Sequence, residues 1–140
     1  MIILSWNCQG LGNPRAVRDL CRLVKEKKLH LVFLMETKLQ AYRLEKIRCR
    51  TRFESVFAVN SIGRSGGLAL LWSLEVEVDI QNYSHRHINA VVKKKGELEL
   101  WKFTGLYGHP EAARRYESWA LLRHLGFFHA QCMAEYGGLQ

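Results

Sequence analysis

Two five-residue runs, Leu31-Val32-Phe33-Leu34-Met35 and Leu68-Ala69-Leu70-Leu71-Trp72, are apolar at every position. Successive side chains of a strand point to opposite faces, so an unbroken apolar run needs cover on both faces of its sheet. A chain built on two such strands must set them centrally and enclose them between further layers. No apolar run reaches the roughly 18 residues of a membrane-spanning helix, which removes that alternative. One covering layer is legible directly. Val17, Leu20, Cys21 and Val24 recur at helical spacing behind Asn13-Pro14, an N-cap followed by a residue suited to the first turn. The other side of this helix, predicted from Pro14 to Lys28, carries Arg15, Arg18, Arg22 and Lys25. Lys27 and Lys28 complement its C-terminal dipole.

Residues 2–6, Ile-Ile-Leu-Ser-Trp, read as a strand before that helix, and Leu31 to Met35 as a strand after it. Strand, helix and strand form a right-handed crossover between parallel strands. Both strands then end at one edge of the sheet, where binding residues of open α/β sheets collect. The residues at those ends are Asn7 and Glu36. An amide and a carboxylate are therefore expected as neighbours at one rim, a donor set suited to Mg²⁺. The bland alternative for Glu36 is a helix cap or a surface charge. Beyond it a basic segment, Tyr42 to Arg52, reads as a short helix. Strands are predicted at Ser55 to Val59, Leu68 to Trp72, Val76 to Tyr83, Ile88 to Lys93 and Leu98 to Leu106. Direct succession of strands argues for antiparallel pairing, with a hairpin tip at Lys95-Gly96. Glu111 to Leu125 returns to a helical period.

The 140 residues suit one domain, and 48% hydrophobic residues are enough for a core. A net charge of +8 favours a polyanionic partner such as nucleic acid over an acidic one. The four cysteines, at 8, 21, 49 and 132, lack zinc-site spacing and read as reduced thiols at apolar positions. The opening Met-Ile-Ile-Leu lacks the charged start of a secretory signal, so an intracellular protein, nuclear or cytoplasmic, is expected. His85 and His87 read as two imidazoles on one strand face, a metal pair or an exposed strand surface. Lys93-Lys94-Lys95 reads as a solvated turn or a nucleic-acid contact. The Gly63 to Gly67 loop lacks a P-loop ending and reads as a turn.

Four blocks in order carry a family likeness. Ser5-Trp6-Asn7-Cys8-Gln9-Gly10-Leu11-Gly12-Asn13-Pro14 and Leu34-Met35-Glu36-Thr37-Lys38 resemble the start of the endonuclease/exonuclease/phosphatase family. The resemblance is closest to the endonuclease domain of plant non-LTR retrotransposons. Gly66-Gly67-Leu68-Ala69-Leu70-Leu71-Trp72 and Phe103-Thr104-Gly105-Leu106-Tyr107-Gly108-His109-Pro110 resemble its later blocks. The resemblance covers about residues 2–125, a truncated domain, and leaves 126–140 as a divergent tail. It implies the N-terminal portion of a four-layer α/β sandwich, with mixed parallel and antiparallel sheets and helices outside. It also implies a Mg²⁺-dependent phosphodiesterase acting on DNA. Glu36 would ligate the metal, Asn7 would sit at metal and phosphate, Tyr107 would position the scissile phosphate and Arg115 would contact phosphate.

Members of the family continue into Gly-Asp-x-Asn and Ser-Asp-His motifs, and these 140 residues contain neither. Asp19 and Asp79, the only aspartates, fall in a helix and a strand and cannot stand in for them. The expectation is a catalytically incomplete fragment that binds Mg²⁺ weakly. A basic, non-catalytic nucleic-acid-binding module is the alternative, and a retroelement remnant without selected function is a third. One sheet face is expected to lack its cover, which predicts an exposed apolar patch and self-association.

Overall fold

The computed structural model describes residues 1–108, so the predicted helix at 111–125, Arg115 and the tail at 126–140 lie outside the described residues. Strand β1 (Ile3–Asn7), helix α1 (Pro14–Lys27) and strand β2 (Leu31–Met35) form the expected crossover, with β1 and β2 parallel. Helix α1 starts where the cap was read: the Asn13 side chain accepts from the Arg15 N–H at 2.9 Å and Pro14 opens the first turn. It stops at Lys28, whose left-handed backbone (φ 51) turns its N–H onto the Val24 carbonyl at 3.1 Å. The basic segment divides into a 3-10 turn (Ala41–Arg43) and helix α2 (Leu44–Thr51).

Five more strands follow: β3 (Ser55–Val59), β4 (Leu68–Trp72), β5 (Val76–Tyr83), β6 (His87–Lys94) and β7 (Trp101–Leu106). They build two sheets, β1-β2-β4-β3 and an antiparallel β5-β6-β7. Strand β7 begins at Trp101, later than expected, and Leu98 and Leu100 before it project into solvent, 94% and 61% exposed.

The two apolar runs are the neighbouring central strands β2 and β4, and alternation divides their side chains between two cores. Val32, Leu34, Ala69 and Leu71 face Val17 and Leu20 of α1 and Leu44 and Ile47 of α2. Leu31, Phe33, Leu68 and Leu70 face Ile88, Ala90 and Val92 of β6 and Phe103 of β7. Phe33 meets Phe103 edge to face, centroids 5.8 Å apart, an arrangement aromatic pairs prefer. The expected uncovered sheet face is therefore covered: Phe33, Leu68 and Leu70 are fully buried by the second sheet. The expectation failed because β5, β6 and β7 already supply enough strand to close the sandwich. Helices, mixed sheet and antiparallel sheet make an α/β sandwich, as expected.

The pairing of His85 with His87 also needs correction. His85 lies in the turn before β6, and only His87 is in the strand. His87 is held at both ring nitrogens, with Nδ1 2.6 Å from Ser84 Oγ and Nε2 2.8 Å from Asn82 Oδ1. Because Asn82 Oδ1 can only accept, Nε2 carries a proton. His30 is arranged alike: Nδ1 accepts from the Ile2 N–H at 3.0 Å and Nε2 faces Glu75 at 2.9 Å. Burial holds both imidazoles below their ordinary value of 6.5, although Glu75 partly offsets this at His30.

The unfolded chain therefore takes up these protons first as pH falls through about 6.5. Stability should drop between pH 7.5 and 5.5 in urea unfolding, and the drop should shrink in a His30→Gln, His87→Gln double variant. Packing makes a second expectation. A Cβ on Gly105 would lie 2.6 Å from the Phe33 ring, whereas one on Gly12 meets nothing within 4 Å. Gly105→Ala should cost about 1–3 kcal/mol and Gly12→Ala less than about 0.5 kcal/mol; equal costs would contradict this packing.

Candidate active-site rim

Register brings six segments to one edge of the sandwich. Asn7 pairs with Met35, Met35 with Leu68, and Leu68 with Val59, so the ends of β1, β2 and β3 and the start of β4 share a rim. In the second sheet His87 pairs with Leu106, which sets the β5–β6 turn beside Tyr107. The two sheets meet there: the Tyr107 hydroxyl donates to Glu36 Oε1 at 2.6 Å. Asn7, Glu36 and Tyr107 are therefore at one rim, and Arg115 lies outside the described residues.

Glu36 reaches this position through an unusual backbone. Its φ is 55, in the left-handed region that costs a residue with a Cβ about 1–2 kcal/mol. Neighbouring loops hold it there. The Cys8 and Gly10 N–H groups donate to the Met35 and Glu36 carbonyls at 3.0 and 2.7 Å. From the other side the Thr37 and Lys38 N–H groups donate to the Gly67 and Gly66 carbonyls at 3.1 and 2.8 Å. Gly67 has φ 93, and a Cβ there would overlap the buried Thr37 hydroxyl, so the approach requires glycine. The Gly63 to Gly67 loop is a turn, as read, but its Gly-Gly ending also fixes the carboxylate-bearing loop.

The Asn7 side chain is exposed, and its Oδ1 accepts from the Gln9 N–H at 3.2 Å. A cleft of about 80 Å³ continues from Tyr107 past Asn60, Ser65, Gly66, His85 and Arg86. The Arg86 carbonyl accepts the Tyr107 N–H at 2.7 Å and so anchors that residue's backbone. Sequence reasoning missed Asn60 and Ser65 of the β3–β4 loop and Arg86 of the β5–β6 turn, because the two loops are distant in sequence. Only the strand order reveals them as neighbours.

Among the described residues no three His, Cys, Asp or Glu side chains gather as a metal cluster. What the rim loops offer a cation is oxygen: the Glu36 carboxylate, with Oε1 already accepting from Tyr107, and the Asn7 amide. That set fits a hard, well-hydrated ion that keeps most of its waters, and does not fit zinc.

Comparison with known proteins gives this arrangement its class. The sequence pattern of the Endonuclease/Exonuclease/phosphatase family matches residues 4–131, and the chain belongs to that family. The fold agrees. An AP endonuclease from Archaeoglobus fulgidus superposes with a TM-score of 0.59 at 21% identity, over 89% of this chain and 49% of the other. TDP2 from D. rerio, in complex with a single strand DNA product, gives 0.58 at 20% identity, over 89% of this chain and 54% of the other. At these identities the likeness concerns the fold. A curated relative, the Holliday junction branch migration complex subunit RuvA of Acinetobacter baumannii strain SDF, is 28% identical over 99 residues, 68% of this chain and 49% of the relative. The chain spans about half the length of the curated relatives it matches. The RuvA likeness is too partial to set a family, and the family assignment rests on the 4–131 match.

Cys8 tests how closed this rim is. Its Sγ donates to the Met35 carbonyl at 3.2 Å, and burial pushes its thiol up to about 11. Cys49, expected at an apolar position, instead lies exposed on α2. Alkylation of the folded chain at about pH 8 should label Cys49 and spare Cys8, since the thiolate is the reacting form. Equal labelling would show that the Asn7 and Glu36 loops open in solution.

Proposed function

We propose that these residues form the N-terminal part of a Mg²⁺-dependent phosphodiesterase acting on DNA, related to the endonuclease domain of plant non-LTR retrotransposons. The observation that carries it is the Tyr107–Glu36 bond of 2.6 Å at the shared rim. By donating to Oε1, Tyr107 fixes the orientation of the carboxylate and leaves Oε2 for a hydrated cation. Mg²⁺ bound there would supply positive charge to a phosphate oxygen. Asn7 contributes an amide N–H and a carbonyl oxygen at the adjacent strand end, and Arg115 is assigned to phosphate. The structurally similar D. rerio TDP2 with a DNA product supports nucleic acid as the ligand class, as does the net charge of +8.

Turnover is not part of the proposal for this stretch alone. The Gly-Asp-x-Asn and Ser-Asp-His motifs are absent from the 140 residues, and with them the groups that would hold the attacking water and the leaving oxygen. One positioned acid or base is worth about 10²–10⁴ in rate, and removing several members of one unit abolishes it. The second reading, a basic non-catalytic nucleic-acid-binding module, is favoured by the charge and does not need Glu36.

Supercoiled plasmid incubated with the chain and millimolar Mg²⁺ should show no nicking above buffer. Mg²⁺ should nevertheless tighten DNA binding, and Glu36→Gln should remove that gain, about tenfold or 1.4 kcal/mol. Nicking that disappears in Glu36→Ala would overturn the incompleteness. Binding indifferent to both Mg²⁺ and Glu36→Gln would leave the binding-module reading in its place.

A further inference from the structure

A cationic feature lies between α1 and α2. A groove of about 180 Å³ runs between the first turn of α1 and one face of α2. Its floor includes Leu11, Leu39 and Ile47, all buried, and its edge is made by Arg43, Lys46 and Arg50. Spacings of three and four residues stack these cations on one helix face. The remaining cation lining α2 differs: Arg48 is engaged, its Nε donating to Glu45 at 2.9 Å and Nη1 to the Phe53 carbonyl at 2.9 Å. Among the described residues Arg43, Lys46 and Arg50 have no ion pair. Among the described residues no carboxylate lines the groove, and the first turn of α1 carries no acid. Asp19, the nearest acid of α1 in sequence, pairs with Arg22 at 3.7 Å.

The groove also shares its loops with the rim. Leu11 belongs to the loop that follows Asn7, Leu39 to the loop that follows Glu36, and the Leu11 N–H donates to the Thr37 carbonyl at 3.0 Å. We infer that this groove is a second nucleic-acid subsite, holding the backbone of a single strand that leaves the rim, with its phosphates on Arg43, Lys46 and Arg50. The inference rests on the proposed function for its ligand class. A single strand is favoured because the cations border a concave slot. A duplex is convex and stiff and keeps its phosphates on a wide cylinder, whereas a single strand bends into a slot.

The test uses the whole chain and a labelled single-stranded DNA oligonucleotide, with a duplex of the same sequence for comparison. A groove variant (Arg43→Gln, Lys46→Gln, Arg50→Gln) is set against a control of equal charge loss (Lys25→Gln, Lys27→Gln, Lys28→Gln). All six side chains are exposed, on α2 and the turn before it or at the end of α1, so circular dichroism should confirm both folds. The groove variant should bind the single strand at least about tenfold more weakly, and its slope of log affinity against log salt should fall by about 2, as expected for three lost phosphate contacts. The control should lose less than about threefold. Equal losses in both variants would mean a diffuse basic surface and overturn the subsite. A duplex that binds as tightly and loses as much would overturn the preference for a single strand. Glu36→Gln separates the two readings: a groove effect with no Glu36 or Mg²⁺ effect sinks only the metal site, and the reverse sinks only the groove. No binding to either DNA would sink both.

Discussion

Two-sided burial of β2 and β4 is the constraint on which the rest of the molecule depends. Each strand sends alternate side chains into two cores, so neither helices nor second sheet alone can satisfy them. A buried Leu or Phe side chain is worth about 1.5–3 kcal/mol relative to exposure. The residues of these strands that are fully buried therefore outweigh any surface ion pair in the molecule, such as Arg22–Asp19 at 3.7 Å, whose class contributes about 0–1 kcal/mol. The site inherits its position from this core. Glu36 directly follows β2, and Gly66 and Gly67 directly precede β4, so the pairing of Met35 with Leu68 delivers both loops to the same place.

The strength of that pairing makes the Glu36 backbone tolerable. A left-handed φ at Glu36 and another at Lys38 are local costs, and a free loop would relax them. Here the loop is bonded on both sides, to Gly10 and Leu11 in one direction and to Gly66 and Gly67 in the other. The glycine that permits the second approach cannot carry a side chain, because Thr37 fills the space a Cβ would take. The carboxylate is thus presented by a backbone that the central strands hold under constraint, and Tyr107 holds its Oε1 from the opposite sheet.

What could be read from residues alone follows a physical division. Local order was legible: the Asn13-Pro14 start of α1, the bounds of β3, β4 and β5, and the Gly96 hairpin tip are all encoded within a few neighbouring residues. The β1–β2 rim was legible too, since a right-handed crossover leaves little choice about where Asn7 and Glu36 emerge. Relations between sheets were not. Nothing in the spacing of residues 76–106 says that β5, β6 and β7 fold over β2 and β4, and so the second core was expected to lie open. The cleft at Asn60, Ser65 and Arg86 was hidden for the same reason, because its members meet only after both sheets have closed. His85 and His87 misled because alternation applies only inside a strand, and β6 begins between them.

The distribution of charge follows from the same architecture. Both faces of the central sheet are occupied, so basic residues are left with the helix surfaces, the sheet edges and the rim. On α2 the result is a division of labour. Glu45 and Arg48 neutralise each other, and Arg48 also ties the helix end to Phe53, so one side of the helix is structural. Arg43, Lys46 and Arg50 contribute nothing to that tie, and their mutual repulsion opposes the fold slightly. A helix of only eight residues that carries unpaired like charges on one side gains no stability from them. Their placement makes physical sense when a polyanion lies along that side, and the loops from Asn7 and Glu36 are what would lead it there.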